Sequence, residues 1–234
     1  METILVKQHI GLGDYLICNG LIRILAEKYN IILPVPTNYL TSVEFMYRDI
    51  SNISCVRLEH VNYNDYKNIK VIGFDWSEHP TKYPEENFEQ MFYRHADIPF
   101  ECKKTHFKVL RDVEREKNLF NSLNLIPKSY SFLHEYNAGD SNSSVKINRN
   151  LITNQNIISV GVNVFSQNIF DYITLINEAA EVHVIESSIF CLIDLCQEII
   201  NSNLFCHQYA KRDKNLLGKG NWMIPKNCKN WKVF

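Results

Sequence analysis

The chain has 234 residues and a mass of 27.4 kDa, room for one full domain or two small ones at about 100–200 residues each. Hydrophobic residues make up 45% and charged residues 22%, a globular composition that excludes a disordered chain. With 25 basic against 26 acidic side chains the net charge is −1, which excludes bulk electrostatic capture of nucleic acid or an anionic membrane but leaves room for a local phosphate site.

No apolar run approaches the roughly 18 residues needed to cross a bilayer. Met1–Lys7 carries an early acid and reads as a first strand, not as a signal peptide. Residues 3–9 form that strand and end in the turn Gly11-Leu12-Gly13. A helix is predicted from Asp14 to Tyr29, with Ile17, Leu21, Ile24 and Leu25 on one face. Ile31–Val35 is a short strand stopped by Pro34 and Pro36, followed by a helix over Tyr39–Tyr47 and strands at Ile53–Leu58 and Lys70–Asp75. Phe88, Met91, Phe92 and His95 recur at helical spacing and predict a helix docked on the sheet, within an aromatic-rich stretch that includes Trp76 and Tyr83. Asp112 caps a further helix with the stripe Val113, Leu119, Phe120 and Leu123, ended by Pro127.

The second half repeats this alternation. Strands are predicted at Tyr130–His134, Ile157–Val162, Val182–Ile185 and, last, Leu204–His207. Helices fall at Ile169–Ala180 and Ser188–Ile200, and a polar loop runs from Asn137 to Ser144. The tail from Lys211 to Phe234 is expected to pack back over the body. Strands alternating with helices predict an α/β fold of two small Rossmann-like βαβ lobes facing a cleft, residues 1–126 on the acceptor side and 127–234 on the nucleotide side.

The seven cysteines, at 18, 55, 102, 191, 196, 206 and 228, include no CxxC pair. They read as buried reduced thiols, and no metal site is expected. In parallel sheets ligands bind beyond the carboxyl ends of strands, where helix N-termini offer free N–H groups. Two places have that form, and a third candidate sits at the end of the second lobe's first strand. The first is Ile10-Gly11-Leu12-Gly13-Asp14. Its third dinucleotide glycine is missing because position 16 is Leu16, which demotes a nicotinamide or flavin site, and no Walker A pattern occurs around Gly218-Lys219-Gly220. Asp14 is either a helix cap or a carboxylate able to take a proton from a hydroxyl.

The second place is Glu186-Ser187-Ser188, where a buried strand opens into a helix. The serines are ordinary N-caps or phosphate ligands, and Glu186 could accept from sugar hydroxyls. His183, inside that strand, reads as a structural histidine. The third is His134-Glu135 with the loop that follows; Lys146 and Arg149 could neutralise a diphosphate there, or be solvated surface charges.

With these residues in view, the chain resembles a small GT-B-like glycosyltransferase. Gly11-Leu12-Gly13-Asp14 followed by Tyr15-Leu16-Ile17 resembles the opening of the lipopolysaccharide heptosyltransferases, and Val184-Ile185-Glu186-Ser187-Ser188 with Leu192 and Leu195 resembles their donor-lobe Asp-Thr/Ser-Gly segment. Glu186 stands for that family's Asp, Ser188 for its Gly, and Cys191 for a common His. Short glycosyltransferase-like proteins of bacteria and large viruses are similar too, with Tyr130-x-Phe132-x-His134 at mid-chain.

The resemblance implies metal-independent transfer of a sugar from a nucleoside diphosphate sugar to a glycan or other hydroxyl acceptor. Asp14 would be the catalytic base, beside the acceptor-side loop Gly11, Leu12 and Gly13. His134, Glu135, Lys146, Arg149, Glu186, Ser187 and Ser188 would serve the donor. No cofactor, no nucleic acid partner and no transmembrane segment are expected, and the expected compartment is the cytoplasm, that of the host for a viral protein. A non-catalytic scaffold on the same fold, or another nucleotide-dependent enzyme such as a pyruvyl transferase, remains the alternative.

Overall fold

The computed structural model describes residues 1–73, 86–135, 147–161, 164–207 and 229–234. The chain divides into two compact units, the first spanning Met1–Leu110 and the second starting at Arg111. The Lys70–Asp75 strand beyond residue 73, Trp76, Tyr83, the Asn137–Ser144 loop, Lys146 and most of the tail lie outside the described residues.

The first unit is built on strands β1 (Glu2–Lys7), β2 (Tyr29–Val35), β3 (Ile53–Arg57) and β4 (Ile69–Val71), in the order β3-β2-β1-β4. All pairings are parallel, with Ile4 opposite Ile31 and Leu5 opposite Ile69. Consecutive Ile4, Leu5 and Val6 are all buried, because a parallel sheet is covered on both faces and its central strand needs no polar side. Pro34 stays inside β2, opposite Val56, and its carbonyl accepts from the Tyr15 hydroxyl at 2.6 Å.

The long first helix is two. Helix α1 (Leu12–Ile17) and α2 (Asn19–Ala26) meet at Cys18, whose φ of −80° and ψ of 0° break the helical run. The amino cap is Gly11, three residues earlier than expected. Helix α3 (Leu40–Tyr47) follows, and Arg23 fastens it from α2 with hydrogen bonds to the Met46 carbonyl and to both carboxylate oxygens of Asp49. Helix α4 (Phe88–Ala96) buries Phe88, Met91, Phe92 and Ala96, and Asn87 and Gln90 close a capping box at its start. A short α5 (Cys102–Thr105) completes the unit.

Helix α6 (Val113–Ser122), capped by Asp112 as expected, lies within the second unit although the sequence placed the division at residue 126. Its inward face is Glu116 and Phe120, whereas Val113 is exposed. Glu116 is held by Arg111 and by the Thr174 hydroxyl, and Arg115 reaches Asp171 at 2.8 Å. These polar anchors bind α6 to the segment Ile169–Glu178, a 3₁₀ turn continued by α7 (Ile173–Glu178).

The second sheet runs β6-β5-β7-β8-β9, again wholly parallel, from β5 (Ser131–His134), β6 (Ile157–Val160), β7 (Glu181–Val184), β8 (Leu204–Cys206) and β9 (Trp231–Val233). The last strand is therefore β9, from the tail, which adds beyond β8. Its Trp231 stacks near Phe190 and donates to Asp194 at 3.1 Å, both on α8 (Ser188–Leu195). At the amino end of β7, Glu181 is buried yet accepts from Ser131, from the Thr153 hydroxyl and amide, and from the Asn154 amide. Burial alone would raise its carboxyl, but these donors outweigh it and bring it down to about 2.

Candidate active site

Strand order decides where a ligand can enter. In the first sheet the chain runs outward from β1 to β2 and β3, then returns to the other side of β1 as β4. In the second it runs from β5 to β6 on one side, then to β7, β8 and β9 on the other. Connections on either side of such a strand diverge, leaving a crevice outside the carboxyl ends of β1 and β4, and of β5 and β7.

At the first switch point the chain leaves β1 through Gln8, His9 and Ile10 into the Gly11 cap of α1. Asp14 is the third residue of α1, with Leu12 and Gly13 before it. Its carboxylate folds back so that Oδ2 accepts from the Gly11 amide at 3.0 Å and from His9 Nδ1 at 2.7 Å. A Cβ added to Gly11 would lie 2.7 Å from that oxygen, so the glycine is what admits the carboxylate. Asp14 thus satisfies an orphan amide while keeping its side chain 13% exposed. Cap and reactive carboxylate are compatible roles here.

His9 was not a predicted site residue. Its ring meets Phe88 edge-on at 5.5 Å, fixing it from α4. The signal available in the sequence was a histidine just past the strand's end and five residues before Asp14. Gln8 is buried, and among the described residues neither its amide nitrogen nor its oxygen has a hydrogen-bond partner. A buried unsatisfied amide is costly, and its place at this edge is one more sign that the edge is not arranged for stability alone.

At the second switch point, His134 ends β5 and Ser187 caps α8 after β7; their side chains meet at 3.0 Å between Nδ1 and Oγ. Ser187 Oγ also accepts from the Phe190 amide at 3.4 Å. Burial pushes the His134 imidazole down to about 4, so it is neutral at pH 7 and offers a hydrogen bond, not a positive charge. Glu135 pairs with Arg149 and accepts from the Ile147 amide at 3.1 Å. That carboxylate balances the Arg149 charge locally. Glu186 and Ser188 flank Ser187 and are partly exposed at the start of α8. His183, by contrast, is fully buried, stacked on Phe205 and bonded to His207 at 3.0 Å.

A cavity of about 530 Å³ in the first unit lies at the other end of its sheet, lined by Glu2, Tyr29 and Ile69 at the strands' amino ends. The helices reach it with their carboxyl termini at Leu25 and Ala96, which offer no free N–H groups to an anion.

Two parallel sheets with interleaved helices, each with a switch point at its carboxyl edge, make this an α/β protein of two Rossmann-like lobes. No protein-family model matches the chain, and no curated protein matches it in sequence. Among solved structures it is similar to E. coli ADP-heptose LPS heptosyltransferase II, with a TM-score of 0.53 and 9% identity over 99% of this chain and 90% of that one. That likeness supports a GT-B-like fold.

Proposed function

We propose that the chain is a glycosyltransferase that moves a sugar from a nucleoside diphosphate sugar to an acceptor hydroxyl without a metal ion. The observation that carries the proposal is the Asp14 carboxylate at the carboxyl edge of β1, held by two donors on one oxygen beside the first switch point. Asp14 takes the proton as the acceptor oxygen attacks the anomeric carbon. The sugar–phosphate bond breaks, and its electron pair leaves with the nucleoside diphosphate.

The donor belongs at the second switch point, where the first turn of α8 presents amide N–H groups and Ser187 and Ser188 their hydroxyls. Arg149, partnered by Glu135, and Lys146 supply basic groups for the departing diphosphate. The likeness to an ADP-heptose-named enzyme makes that donor class the first to test.

Melting temperatures should be measured with ADP, UDP and GDP in turn, because a ligand that binds only the folded chain raises the midpoint. One of them should raise it, and the rise should vanish in a Ser187→Ala, Ser188→Ala double variant. In a turnover assay, Asp14→Asn should abolish transfer with little change in stability, since Asn can still accept the Gly11 amide. No response to any nucleoside diphosphate would instead favour a non-catalytic scaffold.

A further inference from the structure

We infer that His9 is a positioning residue for the base, holding the Asp14 carboxylate so that its second oxygen, Oδ1, is the atom that receives the acceptor's proton. The inference rests on the glycosyltransferase reading and assigns a residue that neither the sequence motif nor the fold likeness points to. A carboxylate is an acceptor only, so at 2.7 Å the bond to Oδ2 must be donated by His9 Nδ1–H. The Gly11 amide adds a second donor to the same oxygen at 3.0 Å. Two donors on one oxygen fix both the rotamer and the plane of the carboxylate. Among the described residues Oδ1 accepts no hydrogen bond.

His9 is itself placed by aromatic contacts from another element. Phe88 and Phe92 of α4 lie 5.5 and 6.4 Å from its ring, and they are 4.4 Å from each other. The orientation of the carboxylate is therefore transmitted from a buried helix face through one imidazole, the arrangement by which a third group orients a reactive pair. A short side chain on the first turn of a six-residue helix would otherwise rotate between staggered states, and only some of these would aim an oxygen at the acceptor.

Two substitutions separate the ring from the donor. His9→Phe keeps an aromatic group against Phe88 and removes the hydrogen bond, whereas His9→Asn puts an amide N–H where Nδ1 stands and removes the ring. Turnover is read as nucleoside diphosphate released from ADP-heptose, UDP-glucose and GDP-mannose, with the fastest donor as the probe. His9→Phe should lower kcat by about 10- to 100-fold, the usual loss when a group that orients a reactive ligand is removed, with KM for the donor within about twofold. His9→Asn should restore kcat to within a few-fold.

Wild-type kcat in His9→Phe, with Asp14→Asn inactive, overturns the positioning role. A His9→Asn variant as inactive as Asp14→Asn overturns it as well, since the imidazole would then be the proton acceptor. If Asp14→Asn turns over normally, or no donor turns over, the glycosyltransferase reading is what fails. The hydrogen bond has its own test in that case. Nitrogen-15 NMR of the wild-type chain should find His9 as the Nδ1–H tautomer, reverting in Asp14→Ala, and an Nε2–H tautomer in the wild type refutes the bond.

Discussion

Mild acid should unfold the second unit selectively, through histidines that burial keeps neutral. His134 and His207 are both pushed down to about 4, His134 by burial and His207 by burial with His183 beside it; His183 is lowered too, with burial as the largest cause. All three belong to the unit that begins at Arg111. In the unfolded chain each would titrate near its ordinary 6.5, so as pH falls the unfolded state binds protons first. The stabilisation is complete above about pH 6.5 and is lost as pH drops through about 4. Fully expressed, a gap of that size is worth roughly 3 kcal/mol per histidine, of which about 2 kcal/mol is gone by pH 5. His134 and His207 together should then cost about 4 kcal/mol between pH 7 and pH 5, a large part of a typical domain's stability. Glu181 adds little in that window, because a carboxyl brought down to about 2 loses its contribution only below its ordinary 4.5. Urea titrations followed by circular dichroism at pH 7, 6 and 5 should show the second unit's midpoint falling by roughly 1–4 M. His134→Asn leaves Ser187 an acceptor, lowers stability at pH 7 and removes about half of the pH slope. An unchanged midpoint between pH 7 and pH 5, or a His134→Asn chain with the wild-type slope, would refute the reasoning.

Three further outcomes follow from packing. Gly20→Ala would ordinarily stabilise a helix by about 1 kcal/mol, but its Cβ would stand 2.3 Å from the Cys102 carbonyl oxygen; the melting point should fall, by the roughly 1–3 kcal/mol of an overpacked contact, and a rise would show that α2 and α5 yield easily. Gly11→Ala has an allowed backbone, with φ of −75° and ψ of 144°, yet displaces Asp14 Oδ2; turnover should drop far more than the roughly 1 kcal/mol of lost capping, and unchanged kcat would contradict the site geometry. Burial pushes Cys196 and Cys206 up to about 12 and Cys18 well above its ordinary value, so iodoacetamide at pH 8 should leave all three unmodified until urea is added. Prompt labelling of any of them in the folded chain, read by peptide mass spectrometry, would contradict that burial.

The elements most legible in the sequence are those whose cause is local. Strand β1 carries the buried apolar run Ile4–Val6, β5 and β7 are buried along their whole length, and Asp112 caps α6 by accepting from the Arg115 amide. What could not be read depends on contacts far along the chain. Nothing local marks the break at Cys18, where two short helices pack separately. Asp14 was expected at a cap, but the cap is Gly11, because a carboxylate at the third helical position can reach back to that amide. Helix α6 turns a glutamate inward, and the sequence stripe pointed instead to Val113; the reason is Arg111 and Thr174, which both donate to the Glu116 carboxylate. Strand β9 has only Trp231, Lys232 and Val233, too few to show a period. Of the candidate site, the sequence singled out Asp14 and Ser187 but not His9 or the His134–Ser187 contact, since strand order alone brings residues 53 apart to 3.0 Å.

Strand order also accounts for how a chain of 234 residues can keep this fold at 9% identity to its structural neighbour. A switch point needs one strand with partners whose connections leave in opposite directions, and three strands suffice for it. Strands added beyond those three, such as β3 in the first sheet or β8 and β9 in the second, widen the sheet without moving the crevice. The apolar pattern that buries a parallel strand is satisfied by many sequences, so identity can erode throughout β1 and β5 while their carboxyl ends stay in place. The polar residues at those ends are under a different constraint. Asp14 must find room beside Gly11, and a neutral His134 must find Ser187; each of these contacts involves a helix cap that follows a central strand within a few residues. The hydrogen bonds that arrange the proposed chemistry therefore sit at or just beyond the carboxyl end of a buried central strand in each sheet.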